Sequence, residues 1–229
     1  MDILQLDQQA TLALNGSDSL FWDNLMMAFT NTWAWTLLMI TLLYVIFHNN
    51  SLREGIVILL TAGLLILVAD RLCSGLVKPL VARWRPTQDP QIMYLLDVVD
   101  GYRGGRFGFF SGHACNTFCT ATFLSLLFRY RPLSFTFFFW SSLATFTRLY
   151  LGVHYLGDVT VGAIIGILLG ILFHYGMKRV LKTMSCSHGR RSLNGCTMSG
   201  YKLTDMNVFM AVIFLNYIIV LILSLTRGV

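Results

Sequence analysis

The stretch GDVTVGAIIGILLGILFHY, residues 157–175, is apolar over most of its length and carries one charged side chain, Asp158, near its start. A helix that crosses the hydrocarbon core of a bilayer needs about 20 consecutive apolar residues. Backbone groups in lipid must be hydrogen-bonded within their own segment, which favours a helix for such a run. This stretch therefore predicts a transmembrane helix and an integral membrane protein.

The rest of the chain has the same character. Hydrophobic residues make up 55% of the 229 residues and charged residues only 12%, whereas soluble domains carry about 25% charged residues. We therefore predict an all-α integral membrane six-helix bundle, folded as a single domain over residues 1–229. The six predicted spans are residues 26–47, 56–77, 113–128, 132–150, 157–175 and 207–226. The third is short, so its helix is expected to extend past both ends.

The N-terminal stretch MDILQLDQQATLALNG, residues 1–16, precedes these spans. Its Leu and Ile positions predict a short amphipathic helix that lies at the membrane surface. The stretch is acidic and lacks the basic start of a secretory signal, so we do not interpret it as one.

The net charge of +6 raises the question of a nucleic-acid partner. We expect none, because the basic residues form no stripe outside the loops and no nucleic-acid motif is present. In a membrane protein an excess of Lys and Arg marks the cytoplasmic loops. That rule places residues 48–54, residues 129–131 and a long basic loop at about 177–206 in the cytoplasm. We predict a multi-pass protein of the bacterial inner membrane, with its other face towards the periplasm.

Three polar clusters share that outer face, because each lies at the outer end of a predicted span. They are KPLVARWRP (residues 78–86), SGH (residues 111–113) and RLYLGVHYLGD (residues 148–158). Spans two to five would bring the three clusters together. The candidate site residues are Lys78, Arg85, Ser111, Gly112, His113, Arg148, His154 and Asp158.

The cations of this set predict an anion site. Lys78, Arg85 and Arg148 would repel one another without an anion between them, and arginine forks match phosphate oxygens in paired hydrogen bonds. Ser111 adds a hydroxyl, and Gly112 adds a backbone N–H at the start of a helix, where anions are favoured. The set is a phosphate-binding site that requires no metal.

The two histidines predict two catalytic roles, a nucleophile and a general acid–base. Asp158 follows His154 by four residues, the spacing of one helix face, so its carboxylate would orient the His154 ring. The other ring nitrogen of His154 would attack phosphorus as a nucleophile. His113 would protonate the leaving oxygen and then activate water. The predicted reaction is phosphoryl transfer through a phosphohistidine, followed by hydrolysis.

As a set, these motifs resemble the signature of the type-2 phosphatidic acid phosphatase superfamily: Lys-x6-Arg-Pro, Pro-Ser-Gly-His and Ser-Arg-x5-His-x3-Asp. The match covers residues 78–158, inside a catalytic core expected at about 56–176. Two positions differ: Phe110 replaces the usual proline and Thr147 replaces the serine before the arginine. The resemblance implies a six-helix bundle and a metal-independent phosphatase with a histidine nucleophile.

A membrane-embedded site favours a lipid phosphate as substrate. Lipid A and undecaprenyl diphosphate are the two candidates that the resemblance and the outward face favour. Arg103 and Arg106 are candidates for contacting a second phosphate or an anionic headgroup, although solvated loop charges are the favoured interpretation.

Three alternatives remain open at this point. A lipid phosphotransferase would use the same histidine chemistry with an acceptor alcohol in place of water. A vanadate-dependent haloperoxidase has a similar oxyanion pocket, but such enzymes are soluble. A non-enzymatic carrier would need polar residues at mid-membrane depth in several helices, and the sequence has few.

The five cysteines do not predict a cofactor. Cys73, Cys115 and Cys119 fall in or beside apolar runs and are expected to be packing residues. Cys186, His188 and Cys196 share the basic loop, but a fourth ligand is missing and the spacing fits no zinc pattern. We expect neither a metal nor another cofactor.

Overall fold

The computed structural model describes residues 2–184 and 195–226, which form helices and connecting loops without a β-strand. This confirms the predicted all-α fold and the N-terminal helix. The α-helices are α1 (Ile3–Leu14), α2 (Leu20–Thr30), α3 (Thr36–Asn49), α4 (Leu52–Asp70), α5 (Lys78–Val81), α6 (Gly112–Phe128), α7 (Arg131–Tyr150), α8 (Leu156–Thr183) and α9 (Leu203–Thr226).

Within the described residues, three helices are long and apolar enough to cross a membrane: Leu52–Val81, Leu156–Thr183 and Leu203–Thr226. The pair α2 and α3 gives a fourth candidate, broken by a bend of 68°. The two remaining predicted spans coincide with α6 and α7, which pack against each other. Each of the six predicted spans therefore falls on a helical segment of a membrane bundle.

The prediction of one continuous first span, residues 26–47, is wrong. Helix α2 ends at Thr30, and the side chain of Asn31 accepts a hydrogen bond from the backbone N–H of Trp33 at 3.1 Å. An Asn that bonds the backbone two residues ahead favours a turn over a continuing helix. The chain bends there before α3 begins.

The third predicted span also ends more sharply than expected. Helix α6 extends past the predicted run by one residue only, to Gly112, because Ser111 caps its first turn by accepting from the N–H of Ala114. At the other end Arg129 adopts a left-handed conformation, with φ of 48°, and ends the helix.

Helix α4 leads directly to the first polar cluster. It starts at a capping box in which Ser51 and Glu54 bond each other's backbone. After Asp70 it widens into a π-helical stretch, Arg71–Val77, and continues as α5 until Ala82 turns left-handed. Such π-helical insertions often lie at functional sites, and this one precedes Lys78.

Helices α6 and α8 pack closely because glycine recurs every fourth residue along one face of α8, at Gly162, Gly166 and Gly170. A Cβ on Gly162 or Gly166 would lie 2.5 Å from the carbonyl oxygens of Ser111 and Cys115, and one on Gly170 would lie 2.7 Å from that of Cys119. Small residues at this spacing let two membrane helices approach to backbone contact. The contact fixes the start of α6 against the start of α8, where the second and third polar clusters lie.

Candidate active site

Arg85 joins the first polar cluster to the third. Its Nη1 donates to the backbone oxygen of Val153 at 3.1 Å and lies 3.3 Å from Nε2 of His154, while its Nε donates to the oxygen of Phe107 at 3.2 Å. A guanidinium has donors only. The contact with His154 therefore assigns the lone pair to Nε2 and the ring proton to Nδ1.

The glycine-rich segment 104–108 packs directly against this arginine. A Cβ on Gly104, where φ is +66°, would lie 3.0 Å from Nη1 of Arg85, and one on Gly108 would lie 2.9 Å from Oδ2 of Asp158. A larger side chain at either position would displace a candidate site residue. The glycines let the loop backbone close over the site.

The second cluster forms the start of α6. Ser111 is buried, its backbone N–H donates to the carbonyl oxygen of Asp158 at 3.0 Å, and its hydroxyl accepts from the N–H of Ala114 at 3.4 Å. His113 lies in the first turn of α6 and is exposed to a cavity inside the bundle. The hydrogen bond to Asp158 connects this cluster to the third.

The expected helix-face pairing of His154 and Asp158 needs correction. His154 precedes α8, which begins at Leu156, so only Asp158 is helical. Asp158 Oδ2 caps the helix by accepting from the N–H of Tyr155 at 3.1 Å, and it lies 3.5 Å from Nδ1 of His154. Nδ1 is buried without a hydrogen-bond partner in this state. Catalytic hydrogen bonds are often long without substrate and shorten when it binds.

Burial and nearby cations favour the neutral form of His154. Burial lowers the pKa of His154 well below its usual range, and the charges of Arg85, Arg148 and Lys78 lower it further. Burial likewise lowers the pKa of Arg85, and the charge of Arg148 adds to the effect. The structure thus brings three cations of the predicted set to one imidazole, where an anion would relieve their repulsion.

Arg148 is buried in this site and has unused hydrogen-bonding capacity. It is 3% exposed, and its Nε has no hydrogen-bond partner. Its Nη2 donates to the hydroxyl of Tyr102 at 2.7 Å. Sequence reasoning missed Tyr102, because an aromatic residue in a glycine-rich loop gives no signal of its own. A buried donor without a partner is costly, so this arrangement favours an anionic ligand.

Arg83 is the second residue that sequence reasoning missed. Its Nη1 donates to Oδ1 of Asp158 at 2.9 Å and its Nη2 to Oδ2 of Asp7 at 2.7 Å. Its guanidinium also lies 4.1 Å from the centre of the Tyr155 ring. The only sequence signal was its place two residues before Arg85, where it was treated as a loop charge.

Arg103 and Arg106 lie on the loop that covers the site. Arg103 donates to the carbonyl oxygen of Thr87 at 2.9 Å, and the hydroxyl of Thr87 donates back to the Arg103 carbonyl at 2.8 Å. Arg106 lies 4.5 Å from the centre of the Trp84 ring. Both arginines are exposed, and their contact with a headgroup stays a prediction.

Among residues 2–184 and 195–226, no three His, Cys, Asp or Glu side chains cluster as a metal site would require. Cys186 and His188 of the rejected zinc interpretation, and much of the basic loop at about 177–206, lie outside the described residues.

A cavity of about 460 Å³ is lined by His113 at the start of α6 and extends into the bundle. His113 and Leu124 both line it, and eleven residues of helix span about 16 Å. Its walls come from α2, α3, α4, α6, α7 and α9 and are mostly apolar. Lining residues include Trp35, Leu42, Leu65, Leu124, Trp140 and Ile213.

Residues 56–182 match the sequence model of the PAP2 superfamily. The chain is 42% identical over 171 residues to a lipid A 4'-phosphatase of Bacteroides thetaiotaomicron, covering 74% of this chain and 76% of that one. It is 32% identical over 168 residues to a lipid A 4'-phosphatase of Porphyromonas gingivalis, covering 73% and 71%. The fold resembles a transmembrane PAP2-type phosphatidylglycerolphosphate phosphatase from Bacillus subtilis, with a TM-score of 0.57, 21% identity and coverage of 78% and 87%.

Proposed function

Because the chain belongs to the PAP2 superfamily and is a membrane lipid phosphatase, we propose that it removes the 4'-phosphate of lipid A through a phosphohistidine on His154. Both curated relatives carry that substrate in their names. The observation that carries the mechanism is the 3.3 Å contact between Nη1 of Arg85 and Nε2 of His154. A phosphate oxygen bound by Arg85 would lie beside the attacking nitrogen.

Phosphate binding is assigned to the cations and to the start of α6. Arg85 and Arg148 would each bind phosphate oxygens with two donors, and Lys78 would add a point charge. The hydroxyl of Ser111 and the N–H of Gly112 would bind a third oxygen at the helix terminus. These groups would stabilise the equatorial oxygens in the transition state.

His154 is the proposed nucleophile. Its Nε2 lone pair attacks phosphorus, and the bond between phosphorus and the sugar oxygen breaks with its electron pair on that oxygen. His113 enters this step as an imidazolium beside the negatively charged phosphate, donates the proton that this oxygen needs and becomes neutral. Asp158 stabilises the ring cation that forms, through the Nδ1 side that it faces at 3.5 Å. His113 then takes a proton from water, which attacks the phosphohistidine and releases phosphate.

The cavity beside His113 supports a lipid substrate with an acyl chain. Its apolar walls run about 16 Å along α6, so a chain could lie inside the bundle while the phosphate stays at the mouth. We place that mouth on the periplasmic side of the inner membrane, because the most basic connections lie at the other end of the helices. The catalytic core within the single domain is taken as residues 56–176.

The test is phosphate release by the purified full-length protein in detergent. Lipid A, undecaprenyl diphosphate and phosphatidylglycerophosphate are compared, each with and without a chelator. We expect lipid A to be hydrolysed fastest, at a rate that the chelator leaves unchanged. Faster hydrolysis of another lipid would refute the substrate, and loss of activity with the chelator would refute the metal-free site.

His154→Ala is the control for the mechanism. It should abolish phosphate release and the acid-labile phosphoprotein formed from labelled substrate, since no other group would carry the phosphoryl intermediate. Turnover that persists in this variant would refute the nucleophile. Transfer of the labelled phosphoryl group to an added alcohol rather than to water would support the phosphotransferase alternative.

A further inference from the structure

We propose that α1 belongs to the catalytic apparatus: Asp7 and Arg83 are positioning residues that hold Asp158, and through it His154, in the orientation for attack. This inference rests on the proposed roles of His154 and Asp158. It goes beyond them by making an N-terminal helix, outside the matched family region of residues 56–182, a determinant of turnover.

The contacts form one continuous chain from α1 to the nucleophile. Asp7 Oδ2 accepts from Arg83 at 2.7 Å, Arg83 donates to Asp158 Oδ1 at 2.9 Å, and Asp158 Oδ2 faces Nδ1 of His154 at 3.5 Å. Arg83 holds one carboxylate oxygen while the N–H of Tyr155 holds the other. The plane of the carboxylate is thereby fixed, and with it the position of the oxygen that faces the imidazole.

Helix α1 also caps the start of α8. The free Oδ1 of Asp7 accepts from the N–H of Gly157 at 2.8 Å, and the hydroxyl of Thr11 accepts from the N–H of Leu156 at 3.2 Å. A helix leaves its first N–H groups unpaired unless side chains accept from them. Two of those groups on α8 are thus paired by residues of α1, about 150 positions away in sequence.

The network is so buried that water cannot easily take the place of a missing charged partner. Asp158 is 0% exposed, Asp7 14% and Arg83 22%. Removing one member of such a set leaves the remaining buried charges less well compensated. Without Asp7, Arg83 keeps a single carboxylate partner and more rotational freedom, so Asp158 loses part of its orientation. At metal sites, residues that orient a ligating side chain through a hydrogen bond are typically worth about 10- to 100-fold in affinity or activity. We take the lower end of that range for Asp7, which acts on Asp158 through Arg83.

The substitution Asp7→Asn removes the negative charge of Asp7 but keeps an oxygen that can cap α8. The Asn carbonyl still accepts from the N–H of Gly157, while the ion pair with Arg83 is lost. We expect kcat for the best substrate of the phosphate-release panel to fall about tenfold, with KM within about twofold because Asp7 contacts no substrate. Asp7→Glu should recover part of the loss. The matched control is Asp18→Asn, an exposed carboxylate past the end of α1, which should keep the full rate.

Coupling between the two residues gives an independent readout. Arg83→Gln should lower kcat by more than Asp7→Asn. The double variant should be no slower than Arg83→Gln alone, because Asp7→Asn keeps the cap on α8 and the lost charge acts only through Arg83. Thermal unfolding in detergent is measured on every variant. A lower melting temperature with unchanged kcat would overturn the positioning role. Equal losses of melting temperature in Asp7→Asn and Asp7→Glu without a change in kcat would overturn it as well.

Two other outcomes also overturn it: additive losses in the double variant, and a rise in KM at constant kcat, which would indicate substrate contact. Because the assay uses whichever lipid is hydrolysed fastest, a wrong substrate does not affect it. His154→Ala is run in parallel. If that variant keeps turnover, the proposed mechanism fails, whereas an inactive His154→Ala with a fully active Asp7→Asn refutes only the role of α1.

Discussion

At the scale of single residues, the site is defined by positive side chains held out of water around one neutral imidazole. Arg148 is buried with an unpaired Nε, and Arg85 contacts His154 directly. Such an arrangement disfavours a cationic ligand and disfavours the protonated form of His154. Its electrostatics therefore match a phosphate monoester, whose charge the cations balance, attacked by a histidine that needs no deprotonation.

The neutral state of His154 predicts the acid limb of the pH profile. Since burial and three cations lower the pKa of His154, the nucleophile stays unprotonated as pH falls through about 6.5, the usual histidine pKa. The acid limb of kcat/KM that reports this group should lie well below that pH. Arg85→Met removes one of the cations, so His154 protonates at higher pH and the limb should move upward.

Measurements of kcat/KM from pH 4 to 9 test this prediction. The control is Arg53→Met, at an exposed arginine at the start of α4, which should leave the acid limb unchanged. Ionisation of the substrate is the same for all variants, so the difference between them reports the enzyme. A limb that stays unmoved or shifts downward in Arg85→Met would contradict the assignment.

At the scale of elements, the site depends on the contact between α6 and α8. Helix α6 supplies Ser111 and His113, and α8 begins just after His154. The glycine face of α8 brings the two backbones together, and the N–H of Ser111 donates to the carbonyl of Asp158 at 3.0 Å. Helix packing thus sets the distance between the proposed acid and the proposed nucleophile.

Gly166→Ala tests that contact. The new Cβ would lie 2.5 Å from the carbonyl oxygen of Cys115, so α6 and α8 must move apart, at a cost of about 1–3 kcal/mol of stability. We expect a lower melting temperature in detergent and a lower kcat. Gly176→Ala on the same helix has open space around it and should keep both values or raise the melting temperature. Equal behaviour of the two variants would argue against close packing as the determinant.

At the scale of the whole molecule, residues of six α-helices line the cavity that includes His113. No single helix defines it, because residues of all these segments line its wall. The bend between α2 and α3 brings both Phe29 and Trp35 to the lining. The cavity is therefore a property of the bundle as a whole, and it is the place where the proposed function puts the lipid tail.

Thr120→Leu should narrow this cavity without touching the phosphate site. Thr120 lines it one helical turn below Asn116, whose carbonyl accepts from its hydroxyl at 2.8 Å. We expect kcat/KM for lipid A to fall about tenfold, with little change for a soluble aryl phosphate that has no acyl chain. Thr183→Leu, an exposed threonine with the same i−4 hydrogen bond in α8, is the control. Equal losses on both substrates would show that the cavity does not hold the tail.

Local properties of the sequence were enough to predict the membrane bundle and the members of the proposed phosphate site. A span is recognisable from about 20 adjacent residues because the bilayer imposes its thickness on each helix separately. The motif residues lie close together in sequence for a similar local reason: each cluster lies at a helix end or in the short connection beside it. Their roles stay predictions that the experiments above address.

The sequence by itself thus determined that this chain crosses a membrane and which cations and histidines gather at the ends of its helices. Only the tertiary structure decided that Arg83 bridges Asp7 to Asp158, partners 76 and 75 residues away, that Tyr102 binds Arg148, and that a cavity extends from His113. The physical reason is that such pairings arise from side chains on distant segments meeting in space, which composition and spacing along the chain do not encode.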